Sequence, residues 1–313
     1  MSGAIDNIDN IIEKIIKGEI LPMKEFDKLY DKAKEILDKR SNIAILKSPI
    51  TICGCINAHF EELKNIFKIC GDVSNTQYLF LGDYVGRGKN HISTFLLIIS
   101  LLIKNPNNIY LLRGNHDSRH MTIIWGLKDE CFSKYKGENS KKIYQKICEL
   151  FDLLQIAAII DNKIFCVHGG LSPKFKKIEE IEKIDRKKEI YDGENENTLI
   201  KDLVWSNPSE EIMEYAADEN NGVGILYGEK VVDDFLKENN NINLIIRSHE
   251  CIDEGYKYIF NKKVLTLFSA SNYIGFNNIA IVLKIDEKNN FNFININEHV
   301  NNDESKKSFC LLI

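Results

Sequence analysis

Four short apolar runs in this chain each end at a polar residue that can bind a metal ion or a phosphate group. The residues that follow these runs are Gly82-Asp83, Arg113-Gly114-Asn115-His116-Asp117, His168-Gly169-Gly170 and Arg247-Ser248-His249. A buried strand followed by glycine and a polar residue presents chemistry at one edge of a sheet. One aspartate, one asparagine and two histidines among them form a ligand set that suits a transition metal. We therefore expect these residues to gather at a single metal-binding edge.

A fifth apolar run, Ile50–Cys53, has the same layout but leads to different residues. It is followed by Gly54-Cys55-Ile56-Asn57-Ala58-His59, which contains few of the residue types expected of such a site. If this segment stays extended, Cys55, Asn57 and His59 share one face, and His59 also reaches the site.

Composition narrows the class of protein. The net charge of -5 provides no basic footprint for nucleic acid. The eight cysteines are irregularly spaced, with no C-x-x-C pair, so reduced thiols in a cytosolic protein are the simplest account. No apolar run approaches the roughly 18–20 residues of a membrane span. We expect a cytoplasmic protein without a transmembrane segment or a signal peptide; association with a membrane or the nucleus stays open.

Helical and strand-like segments alternate along the chain, which then becomes richer in strands. This pattern predicts an α/β (α+β) protein with a layered β-sandwich core and helices on its flanks. Because the candidate strand ends run from residue 54 to residue 273, no cut divides them sensibly. We expect one core domain at 41–297, preceded by a helical segment at 1–40 packed on it and followed by a tail at 298–313.

Local patterns give more detailed predictions. Helices are predicted at 60–67, 92–103, 122–135 and 143–154, and late strands at 244–247, 256–260, 263–268 and 279–285. The charged segment Lys174–Asn197 is predicted to be a surface excursion. The asparagine-rich segments 239–243 and 289–297 are predicted to be polar loops.

Three strings carry a resemblance to a known family. They are Gly82-Asp83-Tyr84-Val85-Gly86-Arg87-Gly88, Leu111-Leu112-Arg113-Gly114-Asn115-His116-Asp117-Ser118-Arg119 and Phe165-Cys166-Val167-His168-Gly169-Gly170-Leu171-Ser172-Pro173. They resemble the PPP family of serine/threonine protein phosphatases, and lesser matches extend the likeness over about residues 8–290. The string 115–119 is most similar to the type 2A branch. The resemblance implies a calcineurin-like metallophosphatase fold, with a central β-sandwich flanked by helices.

The resemblance also implies a set of metal ligands. The family holds two metal ions about 3.5–4 Å apart, with a bridging water or hydroxide as nucleophile. Asp83 matches the carboxylate that lies between the metals. The second metal would be held by Asn115, His168 and His249. Manganese, iron or zinc would be the cofactor.

Further residues match positions that handle the substrate. His116 matches the general acid that protonates the leaving serine or threonine oxygen. Arg87 matches a residue that holds phosphate oxygens, and Tyr273 matches a further residue lining the site. Phosphoproteins, and in this family regulatory subunits, would be the partners.

The chain departs from the family pattern at several of these positions. In the Gly-Asp-x-His-Gly pattern that binds the first metal, Cys55 replaces the aspartate, Asn57 replaces the histidine and Ala58 replaces the second glycine. The aspartate that supports the catalytic histidine is replaced by Gly86, and a second phosphate-binding arginine is replaced by Asn221. Each loss would cost on the order of 10²-fold in rate, without strict additivity.

Three functional hypotheses follow from the departures. The first is a pseudophosphatase that keeps one metal site, with hydrolysis weakened or lost. The second is an active serine/threonine phosphatase with a first metal site rebuilt from Cys55 and Asn57, where a thiolate would favour zinc or iron. Inert substitution at both positions is the alternative to that rebuilt site. The third hypothesis is hydrolysis of phosphodiesters or small phosphate esters through a single metal.

The carboxyl terminus adds one separate prediction. Cys310-Leu311-Leu312-Ile313 fits the Cys-aliphatic-aliphatic-X pattern of a prenylation signal, which would place a lipid anchor at Cys310. A chance match is the alternative, because the terminal isoleucine is not the usual residue. The tail lacks the Tyr-Phe-Leu ending of the type 2A branch, so contacts with regulatory subunits through the tail are not expected.

Overall fold

The computed structural model describes residues 7–190, 198–219 and 222–298. Its helices are α1 Ile8–Ile16, α2 Met23–Asp38, α3 Phe60–Cys70, α4 His91–Lys104, α5 Arg119–Ile124, α6 Leu127–Lys134, α7 Glu138–Phe151, α8 Thr198–Trp205 and α9 Glu229–Glu238. None of the helices within these ranges is long and apolar enough to cross a membrane. Asn221 and Cys310, together with the predictions made for them, lie outside the described residues.

The strands form two large sheets and one small one. In chain order they are β1 Ile43–Leu46, β2 Ile50–Cys53, β3 Tyr78–Phe80, β4 Ile109–Leu111, β5 Ala157–Ile160, β6 Ile164–Val167, β7 Asn207–Pro208, β8 Tyr215–Ala217, β9 Ile225–Tyr227, β10 Leu244–Arg247, β11 Tyr256–Ile259, β12 Val264–Leu267, β13 Ile281–Ile285 and β14 Phe291–Asn295. The first sheet has the order β1-β5-β6-β10-β12-β11, the second β14-β13-β2-β3-β4, and the small sheet β7-β9-β8.

The two large sheets pack face to face because their strands alternate apolar side chains between the two sides. Ile52 and Leu79 of the second sheet pack against Ile246 and Leu265 of the first in one buried cluster. Alternate residues of the second sheet, such as Phe80, point the other way into a cluster with the helices. This is the period-two pattern of strands buried on both faces. The predicted β-sandwich flanked by helices is confirmed.

Parallel pairing brings the candidate strand ends to one edge. In the second sheet β2, β3 and β4 run parallel, and in the first sheet β6, β10 and β12 do the same. The carboxyl ends of parallel strands meet at one edge of a sheet, where ligands bind in layered α/β proteins. The two amino-terminal helices pack on the same core, α1 against α4 and α2 against α4 and α7.

Three local predictions are wrong. The predicted helix at 122–135 is two helices, α5 and α6, because the chain turns at Trp125 and at Gly126, whose φ is +92°. The predicted loop at 289–297 contains β14, which pairs with β13 through Phe291 and its neighbours. Cross-strand pairing compensates for the low strand propensity of its asparagines.

The surface excursion predicted for 174–197 is also wrong for the part that the structure describes, residues 174–190, because several of its side chains are buried in the core. Residues Ile178–Lys183 form a 3₁₀ helix with two buried isoleucines. Arg186 is 7 % exposed and donates hydrogen bonds to the carbonyl oxygens of Leu37, Arg40 and Leu153. A buried guanidinium needs such partners. Arg186 therefore joins this segment to the end of α2 and to the chain that follows α7.

Candidate metal centre

Loops from both sheets converge on one buried cluster of potential ligands. The loop after β2 provides Cys55, the loop after β3 provides Asp83, and the loop after β6 provides His168. One ligand atom from each of these three residues lies within 4.8 Å of the others. All three side chains are buried. Thiolate, carboxylate and imidazole together form a donor set that holds divalent metals.

Asp83 lies between the other two members. Its Oδ2 is 3.5 Å from Cys55 Sγ, and its Oδ1 is 3.5 Å from His168 Nε2. The backbone of Asp83 is left-handed, with φ at +56°. Gly114 lets the loop after β4 approach closely, because a Cβ there would lie 2.2 Å from Asp83 Oδ1. Backbone strain of this kind is typical of functional sites.

Asn115 and His249 complete the cluster from β4 and β10. Asn115 Oδ1 lies 3.0 Å from His168 Nε2 and 3.0 Å from His249 Nδ1. In this orientation the amide oxygen faces only other acceptors. Without a cation, the group is better satisfied with its nitrogen inward, 3.2 Å from Asp83 Oδ2. Converging lone pairs of this kind fit a cation, so the residues present fit a metal ion.

Burial keeps both histidines in the form that binds metal. It lowers the pKa of His168 to about 3 and lowers the pKa of His249 well below its usual value. His168 Nδ1 lies 2.7 Å from Leu81 O, so this nitrogen carries the proton and Nε2 is free to bind. Burial raises the pKa of Asp83, and the nearby Asp117 raises it further. A bound cation would oppose that effect and hold the carboxylate ionised.

Cys55 is oriented toward the cluster by its surroundings. Its Sγ accepts a hydrogen bond from the backbone N–H of His249 at 3.3 Å and lies 3.1 Å from Ser248 Oγ. Burial raises the pKa of this thiol. A metal that takes Cys55 as a ligand must therefore displace a proton, and soft metals do so most readily.

Asn57 follows Cys55 by two residues and lies in a tight turn. Asn57 and Ala58 have φ of +50° and +61°, so the segment does not stay extended and the condition for a shared face of Cys55, Asn57 and His59 is not met. The turn is held by the backbone N–H of Asn57, which donates to Asp83 O at 2.7 Å. His59 is partly exposed, and its Nδ1 is 3.1 Å from Asn57 O. The carboxamide of Asn57 points instead at Gly86.

His116 lies beside the cluster. Its backbone N–H donates to Asp83 Oδ1 at 2.9 Å, and its ring stacks on Trp125 with centroids 6.0 Å apart. Burial lowers the pKa of His116 to about 3, and the Arg87 charge contributes. Within the described residues its Nδ1 has no hydrogen-bond partner. The ring is therefore neutral.

Arg87 is exposed above the centre and is held by aromatic rings. Its guanidinium carbon lies 4.1 Å from the Trp125 ring centroid and 5.7 Å from that of Tyr273. Cation–π contacts of this kind restrict a flexible arginine while leaving its N–H groups free for an anion. Tyr273 is 9 % exposed, and burial raises the pKa of its hydroxyl.

Three supporting residues were missed in the sequence. Asp117 accepts from the backbone N–H groups of Asp83, Tyr84 and Gly114 and so joins the loops after β3 and β4. Trp125 and Ser248 are the other two. Asp117 and Ser248 stand beside predicted ligands in the motifs, which was the available signal. Trp125 carried none, because its contacts with Arg87 and His116 arise only on folding.

Arg247 ties the two histidine-bearing loops together. This fully buried arginine donates from Nε to Gly169 O at 2.6 Å and from Nη2 to Asn207 Oδ1 at 2.7 Å. It therefore joins the loop after β6, which carries His168, to the loop after β10, which carries His249. Groups that orient metal ligands in this way are part of a functional site.

Comparisons with known proteins identify the family and the fold. Residues 48–253 match the family model described as calcineurin-like phosphoesterase. The structure is similar to a protein serine/threonine phosphatase from Saccharomyces cerevisiae, itself described as similar to human phosphatase PP5. That match has a TM-score of 0.82 and 28% identity and covers 92% of this chain and 95% of the other.

A cold-active protein-tyrosine phosphatase of a psychrophilic Shewanella species is a more distant neighbour. It matches with a TM-score of 0.60 and 14% identity over 84% of each chain, which shows a shared fold alone. The family model, in contrast, covers more than half of this chain. The loops of the β-sandwich in this protein also hold a buried Cys/Asp/His group able to bind a metal. This protein belongs to the calcineurin-like phosphoesterase family.

Proposed function

We propose that this protein is a PPP-type serine/threonine phosphatase with one intact metal site and weakened or lost hydrolysis, that is, a pseudophosphatase. The family and the similarity to a yeast serine/threonine phosphatase support a phosphoprotein ligand. The string Asn115-His116-Asp117-Ser118-Arg119 supports the type 2A branch. Binding of a phosphoprotein without efficient turnover would let the protein occupy a partner or shield a phosphorylated site.

The observation that carries this proposal is that the Asn57 carboxamide lies against Gly86. Cys55 lies in the ligand cluster, whereas Asn57 turns away to Gly86. A first metal would therefore have only Asp83 and one thiolate, and a hard ion that prefers oxygen and nitrogen binds such a pair poorly. The second metal keeps the carboxylate and three neutral ligands.

The residues around the centre are better suited to binding phosphate than to cleaving it. A metal held there would polarise a phosphoryl oxygen as a Lewis acid. Arg87 would present its guanidinium N–H groups to phosphate oxygens, which a planar guanidinium can bind in a bidentate geometry. His116 is buried and neutral, and among the described residues no carboxylate bonds to its Nδ1, so it is a poor proton donor to a leaving oxygen.

Several finer predictions stay part of the proposal. Manganese, iron and zinc are the candidate metals, and a thiolate from Cys55 would favour zinc or iron over manganese. A cytoplasmic location, regulatory subunits and a lipid anchor at Cys310 are predictions of the sequence. The comparisons provide no support for the subunits or the anchor.

One observation favours the second hypothesis, an active phosphatase with a rebuilt metal site. Cys55 Sγ is within 4.8 Å of ligand atoms of Asp83 and His168, so a thiolate could join the centre. Asn57 would not take part, because its carboxamide points at Gly86. An active enzyme would therefore depend on Cys55 alone among the substituted residues.

A metal count and a phosphatase assay on the same preparation test the proposal. Elemental analysis should find one bound metal per chain or none, and a phosphoserine or phosphothreonine peptide should show little or no turnover with manganese. Two metals per chain, with turnover that Asp83→Asn removes, would overturn the pseudophosphatase. Turnover of a phosphodiester but not of the phosphopeptide would instead support the third hypothesis.

A further inference from the structure

Two buried polar atoms beside the metal centre have no hydrogen-bond partner among the described residues. They are Asn57 Oδ1 and His116 Nδ1. Asn57 is 1 % exposed and His116 is 6 % exposed, so bulk water does not solvate them freely. An unsatisfied buried group costs about 1–3 kcal/mol. Two such atoms in one place therefore call for an explanation.

Both atoms lie against the same glycine. A Cβ on Gly86 would be 2.1 Å from Asn57 Oδ1 and 2.8 Å from His116 Nδ1. The carboxamide of Asn57 thus occupies space that any side chain at position 86 would need. An imidazole N–H and a carboxamide oxygen are complementary as donor and acceptor.

The backbone holds Asn57 in this position independently of any metal. Its φ is +50°, a left-handed conformation that asparagine adopts more readily than most residues. Its N–H donates to Asp83 O at 2.7 Å, and its C=O accepts from Gly88 N at 2.9 Å. These bonds join the loops after β2 and β3 and direct the carboxamide to Gly86.

We propose that Asn57 is a positioning residue for His116 and is not a metal ligand. Its Oδ1 accepts a hydrogen bond from one water molecule that in turn accepts from His116 Nδ1–H, because the two atoms do not bond directly. The bond places the proton on Nδ1 and leaves Nε2 as the unprotonated nitrogen of a ring already stacked on Trp125. The replacements at positions 57 and 86 therefore compensate each other. The inference rests on the proposed function only for the place of His116 in the phosphate site.

Nitrogen NMR of labelled histidines in the full chain tests this proposal, both metal-free and with zinc added. His116→Gln identifies the His116 signals. We expect the Nδ1–H tautomer in the unsubstituted protein, its loss to a mixture of tautomers in Asn57→Ala, and its retention in Asn57→Asp, which keeps the acceptor. Zinc content per chain should be the same in Asn57→Ala as in the unsubstituted protein.

Three outcomes would overturn the proposal. They are an unchanged His116 tautomer in folded Asn57→Ala, an Nε2–H tautomer in Asn57→Asp, and loss of zinc from folded Asn57→Ala. If Asn57→Ala does not fold, the aspartate variant decides the matter, because it preserves the shape of the side chain. None of these measurements needs turnover, so an assay that contradicts the proposed function would leave their result intact.

Discussion

The two sides of the metal centre differ in how their residues are supported. On the side formed by β6 and β10, a backbone carbonyl fixes the His168 ring at 2.7 Å, and buried Arg247 joins the loops that carry both histidines. On the side formed by β2, Cys55 stays in the centre but Asn57 leaves it for Gly86. One side is a supported ligand set, whereas the other keeps a single thiol.

The difference shows that the departures from the family pattern at positions 57, 58 and 86 lie in one contact between two loops. Asn57 and Ala58 follow β2, Gly86 follows β3, and backbone bonds between these two loops bring them together. The loops after β6 and β10 follow strands of the other sheet. The first metal site and the support of His116 can therefore change together, while the second metal site keeps its geometry.

The largest effect is expected from Asp83→Asn. Asp83 places one oxygen toward Cys55 and the other toward His168, so an amide there removes the negative charge between the two sides. We expect the variant to lose its bound metal, as measured by elemental analysis after gel filtration. Asn57→Ala is the matched control and should keep the metal. Metal retained by Asp83→Asn and lost from Asn57→Ala would place the metal on the β2 side.

The next largest effect concerns the contact between positions 57 and 86. We expect Gly86→Ala to destabilise the protein by about 3 kcal/mol, because the new Cβ meets Asn57 Oδ1 and φ is strained. Gly137→Ala should cost only about 1 kcal/mol, because φ there is +62° and no atom of the described residues lies within 4 Å of the new Cβ. Urea denaturation measures both.

The same denaturation in an Asn57→Ala background tests the cause. There the cost of Gly86→Ala should fall, because the carboxamide that blocks the new Cβ is gone. An equal cost in both backgrounds would show that the two side chains do not compete for space.

A smaller effect is expected for the remaining ligand on the β2 side. Cys55→Asp replaces a soft thiolate by a hard carboxylate, so manganese affinity should rise relative to zinc by on the order of tenfold. Competition titration with the two metals measures the ratio. Cys166→Ala, at a fully buried thiol that faces the sheet interface, is the control and should leave the ratio unchanged. A ratio unaffected by Cys55→Asp would show that Cys55 is not a ligand.

The smallest effect is expected at the phosphate-binding arginine. Trp125→Ala removes the ring 4.1 Å from the Arg87 guanidinium, a contact worth about 0.5–1 kcal/mol. Inorganic phosphate should bind about two- to fivefold more weakly by calorimetric titration, as that energy implies. Phe132→Ala, at an exposed ring on α6, should bind phosphate normally. Equal affinities in the two variants would show that Trp125 does not hold Arg87 for the anion.

Most of the sandwich could be predicted because its signals are local. The apolar runs Ile50–Cys53 and Ile164–Val167 match β2 and β6 residue for residue, since each is bounded by proline, glycine or a polar residue. Strand β14 and the buried bridge through Arg186 could not be predicted. Their polar side chains are satisfied by partners distant in sequence, and periodicity carries no information on those partners.

The sequence alone determined which residue types stand at the strand ends and which family pattern they interrupt. Tertiary structure decided where the substituted side chains go. Cys55 and Asn57 are two residues apart, and an extended chain would point both at the metal. Hydrogen bonds from the loop after β3 instead hold Asn57 in a left-handed turn beside Gly86. The free energy of that contact between distant segments cannot be read from either segment alone.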